Sequence, residues 1–128
     1  MEIREPVSGG GNIKIANEVV AIIAGLAATE IEGVTGMSGG VVDGLAELLK
    51  KKSLAKGVKV EVGERQAAVD LYVILSYGVK VPEVAYRVQE NVKRAIESMT
   101  GLEVVEVNVH IQGIEFKPEE SAEEPRLR

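Results

Sequence analysis

A chain of 128 residues, 45% hydrophobic and only 3% aromatic, is sized for one domain whose core is built from Val, Ile, Leu and Ala. Its 20 acidic and 15 basic residues give a net charge of -5, so the molecule as a whole has no attraction for phosphate backbones or anionic lipid. The absence of cysteine excludes disulfides, thiolate nucleophiles and thiolate metal sites.

Residues 1–11 are polar and close on Ser8-Gly9-Gly10-Gly11, which reads as a flexible leader without a secretory signal. Ile13 and Ile15 flank Lys14 in a short alternating segment. From Asn17 to about Ile31 the periodicity predicts a helix capped by Ala16 or Asn17, with Val19, Ile22, Ile23 and Leu26 as its main stripe and Gly25 permitting close packing. The apolar run VVAIIAGLAA, bounded by Glu18 and Glu30, is well short of the roughly 20 residues that cross a bilayer.

A short extended piece over residues 33–38 leads into Gly39-Gly40 and a predicted helix over residues 41–52, with Leu45, Leu48 and Leu49 on one side. Lys50, Lys51 and Lys52 fall in its last turn, where cations complement the helix dipole.

Val58, Val60 and Val62 alternate with Lys59 and Glu61. After the turn Gly63-Glu64-Arg65, Ala67, Val69, Leu71, Val73 and Leu75 alternate with Ala68, Asp70, Tyr72, Ile74 and Ser76. This is a hairpin with one buried and one wetter face. Pro82 then opens a helix whose apolar stripe is Val84, Ala85, Val88, Val92, Ala95, Ile96 and Met99, and Gly101 stops it. A last strand turns Val105, Val107, Val109 and Ile111 inward and Glu106, Asn108, His110 and Gln112 outward, before a charged tail at 117–128 that composition marks as disordered. The elements add up to an α+β two-layer single domain over residues 12–116. Its sheet is mainly antiparallel with helices on one face, its C-terminal half is β-β-α-β, and its last strand lies parallel to the long hairpin strand.

The search for chemistry returns little. One histidine and no cysteine cannot make a zinc site of four such ligands, and no cofactor is expected. Glu61 and Asp70, on adjacent strands with Lys59 nearby, read as cross-strand charge pairing rather than acid/base machinery. The loop Gly36-Met37-Ser38-Gly39-Gly40 lacks the lysine and hydroxyl of a P-loop and the spacing of a dinucleotide fingerprint. Tyr72 as a stacking platform, with Arg87, Lys93 and Arg94 on the helix, is the nearest approach to a nucleic-acid surface, but Glu90 and Glu97 interrupt it and no GXXG clamp is present. What remains is interaction. Tyr72 and Ile74 break the polar rule on the outer face of the hairpin, so that face is covered either by another subunit, a partner or a tail, or by the chain's own N-terminal segment. Tyr72, Ile74, Asn108 and His110 are its candidate contact residues.

Residues 11–116 resemble the alkaline-shock, or envelope stress response, family of Gram-positive bacteria. The resemblance is carried by Tyr77-Gly78-Val79 with Pro82, Val88-Gln89, Met99-Thr100-Gly101 and the stretch VEVNVHIQG at 105–113. Ala16 departs from the serine-like helix cap that relatives often carry. The resemblance implies a non-enzymatic cytoplasmic protein that associates with itself or with membrane-anchored relatives at the inner face of the membrane. Its implied role is cell-envelope homeostasis under stress; regulation of fatty-acid or lipid metabolism is the alternative, and weak RNA or nucleotide binding a more remote one. It transfers no catalytic residue.

Overall fold

A computed structural model describes residues 11–38 and 55–116. Its elements are α1 (Asn17–Thr29), β1 (Val34–Met37), β2 (Val58–Val62), β3 (Gln66–Ser76), α2 (Val81–Thr100) and β4 (Glu103–Glu115). The predicted helix at 41–52, its lysine run, most of the leader and the whole tail lie outside the described residues.

The strict alternation of β3 makes it the spine of the sheet, with Ala67, Val69, Leu71, Val73 and Leu75 all buried and the intervening residues half-exposed. Along one of its edges β1 and β2 lie end to end, both antiparallel to it, with Met37 opposite Val73 and Val58 opposite Leu71. At their junction the Ser38 N–H donates to the Tyr72 carbonyl and the Tyr72 N–H to the Gly57 carbonyl, each at 2.8 Å. β4 runs parallel to β3 along the other edge, from Glu103 opposite Gln66 to Glu115 opposite Ser76. The α+β class, the mainly antiparallel sheet, the hairpin and the parallel last strand are therefore as the sequence predicts.

The inner face of β3 packs against Val20, Ile23, Ala24, Ala27 and Ala28 of α1 and Val84, Val88, Val92 and Ile96 of α2. Burying each large aliphatic side chain stabilises the fold by about 1.5–3 kcal/mol. The helices are pinned to each other by Asn91, whose amide donates to the Ala27 carbonyl at 2.8 Å and to Glu30 Oε1 at 3.1 Å. Gly101, at φ 80°, ends α2 in the left-handed conformation that favours glycine.

Four sequence expectations are corrected. In α1 the expected Ile23 is buried and Ile22 half-buried, but the rest of the core face is the small one, Val20, Ala21, Ala24, Ala27 and Ala28 with Gly25, while Val19 and Leu26 are 46% and 43% exposed. The seat is a close approach to α2, and small side chains fit it where bulky ones do not. In α2 the buried ridge repeats every four residues, so Thr100 replaces Met99 in the core. Its hydroxyl donates to the Ile96 carbonyl at 2.7 Å and accepts from the Leu102 N–H at 3.0 Å, which permits the burial. In β4 a register shift between its pairings with Ala67 and Ala68 puts Val104 in the core and leaves Val105 52% exposed; an extra residue on one strand reverses the side-chain parity. Residues 12–16, with Ile13 and Ile15, form no strand. Ala16 is the N-cap of α1 and supplies no side-chain hydrogen bond, as an alanine must.

Candidate functional site

In a two-layer fold the sheet has one face away from the helices, and β3 and β4 place their polar alternates there. Parallel register sets Asp70 beside Asn108 and Tyr72 beside His110, with Lys59 of β2 opposite Asp70 on the other side. Equivalent positions on neighbouring strands lie within contact distance, and the side chains form a connected cluster. The Tyr72 and His110 rings stack 4.4 Å apart at 9°. Asn108 donates from its amide to Asp70 Oδ1 and to Glu106 Oε2, both at 2.9 Å, and His110 Nε2 lies 3.4 Å from Asp70 Oδ1. The Lys59 ammonium sits 5.7 Å from the Tyr72 ring centre, within cation–π range.

The electrostatics follow from these contacts. The Asn108 hydrogen bond outweighs the opposing desolvation and, with the hydrogen bond and charge of His110 and the charge of Lys59, holds the Asp70 carboxyl below its ordinary value. The Asp70 and His110 side chains remain 39% and 42% exposed, so the cluster is a preorganised surface rather than a pocket. Its geometry suits recognition of a partner surface through an aromatic plate, an amide and a carboxylate. It offers no activated nucleophile and no enclosure in which a reacting group is desolvated.

All four predicted surface residues share this face, but not one cluster. Asp70 draws Asn108 and His110 together, and Tyr72 joins them through its stack on His110. Ile74 lies farther along β3 beside Gly113, a second register shift having advanced the pairing by one residue. There the missing Cβ leaves the Ile74 side chain half-exposed and only loosely covered, at 3.8 Å from where a Cβ would stand. Asp70 and Lys59 were not among the predicted contacts; their signal, an acid and a base directly opposed across a hairpin, was legible once the hairpin register was fixed. Glu61 faces Ala68 rather than Asp70, so the two carboxylates are not a pair. Among the described residues no group of three or more His, Cys, Asp or Glu is placed to hold a metal ion, and no helix is long and apolar enough to cross a membrane. Open clefts of about 370 and 520 Å³ lie along β2, where Asn17 and Val60 line both, and include none of the four predicted residues.

Sequence comparison places residues 5–116 within the profile of the alkaline-shock (ASP23) family, described as having a cell envelope-related function. The chain is 42% identical over 106 residues to the protein YqhY of Bacillus subtilis (strain 168), covering 83% of this chain and 78% of that one. It is 34% identical over 119 residues to a stress response regulator gls24 homolog of Streptococcus pyogenes, covering 92% of this chain and 66% of the relative. Among solved structures, a MamM CTD aligns with a TM-score of 0.49 at 15% identity, over 78% of this chain and all of that one.

Proposed function

The chain belongs to the alkaline-shock (ASP23) family, and from that membership we propose that it is a non-enzymatic interaction protein of the cell-envelope stress response, working through the outer face of its sheet. The observation that carries this reading is the Tyr72–His110 stack, held in place by Asp70 and Asn108 yet left open to solvent. A prearranged aromatic and amide surface loses little side-chain freedom on docking, and such groups dominate the energetics of interfaces. The partners that fit the family setting are a further copy of the chain or a membrane-anchored relative, which would bring the protein to the inner face of the envelope. The described residues contain no span of their own. Tagged wild-type protein is expected to retain a defined membrane-protein partner or further copies of itself from detergent-solubilised envelope fractions. The double variant Tyr72→Ala/His110→Ala, with an unchanged circular dichroism spectrum, is expected to lose most of that recovery. Equal recovery by a folded double variant would rule out this face as the docking surface, and catalytic turnover that co-purifies with the chain through every step would rule out the non-enzymatic role.

A further inference from the structure

We propose that the open edge of β4 pairs antiparallel with β4 of a second copy, about a two-fold axis at Val109, joining two sheets into one. This rests on the self-association reading above and assigns it to the strand edge that borders the outer face, with Asn108 and His110 at the boundary of the two.

Hydrogen-bond parity identifies which groups are free. Tyr72 directs its N–H and C=O to the β1/β2 side, so the odd-numbered residues of β3 direct theirs to β4. In a parallel ladder those bonds are returned by the residues flanking each opposite position. Val69, Leu71 and Val73 stand opposite Val107, Val109 and Ile111, so the even-numbered residues of β4 answer them and Val107, Val109 and Ile111 point their backbone groups at the open edge. The observed side-chain contacts agree: Gln89 donates to the Val107 carbonyl at 2.9 Å, reaching across from α2. That carbonyl keeps a second lone pair. Farther down, Glu97 and Lys93 close the edge at Val104, accepting from its N–H at 2.9 Å and donating to its carbonyl at 3.1 Å. The guard stops there; among the described residues no side chain bonds the backbone of Val109 or Ile111.

Coverage of side chains follows the same gradient. On the helix-facing side of β4, Val104 is buried, Val107, Val109 and Ile111 are only half-buried, and Ile114 is 45% exposed. Among the described residues no strand pairs with this edge, and an unpaired edge with apolar flanks is a template for another strand.

The sequence between the two register shifts says which strand fits. Residues 106–112, Glu-Val-Asn-Val-His-Ile-Gln, read alike in both directions in chemical type. Reversed on itself about Val109, the stretch sets Val107 against Ile111, Asn108 against His110, and Glu106 against Gln112, with no like charges opposed. The Val107, Val109 and Ile111 pairs exchange hydrogen bonds, while Asn108 and His110 of the partner subunit form the closer, non-hydrogen-bonded pair.

That last pair gives the test. Two full-length variants are made, Asn108→Glu/His110→Glu and Asn108→Lys/His110→Lys, each opposing like charges twice across the axis. Sedimentation velocity is expected to show a dimer for the wild type, loss of the dimer for each variant alone, and its recovery when the two are mixed in equal amounts. Wild-type protein that stays monomeric at every concentration, as it would if the edge takes a strand of a different protein, overturns the proposal. So does a dimer that survives in both folded variants, or a mixture that stays monomeric. Because Asn108 and His110 also border the outer face, amide exchange on the wild type decides between the two surfaces, and does so even if a variant does not fold: the Val109 and Ile111 N–H groups are expected to exchange more slowly as concentration rises, and unchanged rates in a dimer overturn edge pairing. A dimer without edge protection would leave docking by the outer face standing, and edge protection with no effect of Tyr72→Ala/His110→Ala on envelope capture would do the reverse.

Discussion

Gly57→Ala is expected to lower the stability of the fold by about 2–3 kcal/mol, seen as a fall in the denaturant midpoint at unchanged slope. Gly57 is buried where the ends of β1 and β2 meet against β3. A Cβ there would stand 2.9 Å from Met37 Cβ, 3.0 Å from the Tyr72 carbonyl oxygen and 3.1 Å from that of Ser38. Both oxygens are backbone atoms, and the Tyr72 carbonyl is already held by the Ser38 N–H, so relief requires the junction itself to open. Because Tyr72 is the residue straddled by that junction, the damage extends to the aromatic stack on the outer face. Gly113→Ala is the matched control. Its added Cβ meets nothing nearer than Ile74 at 3.8 Å, an ordinary contact, and its effect is expected within about 0.5 kcal/mol of zero.

The second large effect is expected at Glu97. One carboxylate oxygen accepts from the Val104 N–H at 2.9 Å and from the Lys93 ammonium at 3.0 Å, tying the last turn of α2 to the first residues of β4. Its side chain is 34% exposed, which moderates the ion pair, so the backbone hydrogen bond is the larger contribution. Glu97→Ala leaves that N–H without its acceptor and is expected to cost about 1–2 kcal/mol at neutral pH. The Val104 hydrogen bond, followed by Lys93, holds the Glu97 carboxyl below its ordinary value. A carboxyl depressed by folding stabilises the native state above its unfolded value, about 4.3 for glutamate, and loses that contribution as the pH falls through the folded value. The stability gap between wild type and Glu97→Ala is therefore expected to be constant from pH 7 to about 5 and to narrow in acid below it. A gap that widens in acid would contradict this assignment.

Much of the scaffold is legible in sequence because a single physical rule dominates each part. Eleven residues of β3 keep strict alternation, and Pro82 and Gly101 bound a helix with one apolar ridge. The exceptions arise where two elements compete for one space. Val19 and Leu26 are more hydrophobic than Ala24 and Ala28, yet the close approach of α1 and α2 selects the smaller side chains. Val104 and Val105 are the same residue type, so no alternation pattern tells which is inward once a bulge intervenes. The surface was partly legible for a related reason. That Tyr72, Ile74, Asn108 and His110 share a face follows from parity alone. That Tyr72 stacks on His110 while Ile74 stands apart depends on the parallel register and on the shifts in it, which no alternation pattern within a single strand encodes.

The central claim, that this protein acts by docking a partner on the outer face of its sheet, is tested most directly by site-specific photo-crosslinking in cells under envelope stress. A photoreactive side chain is placed at Tyr72 in one strain and at Arg87, exposed on the helical layer, in another. The account predicts a discrete crosslinked species at position 72, to a further copy of the chain or to a membrane protein, and none at position 87. Crosslinks at 87 with none at 72, or the same products from both positions, would contradict it.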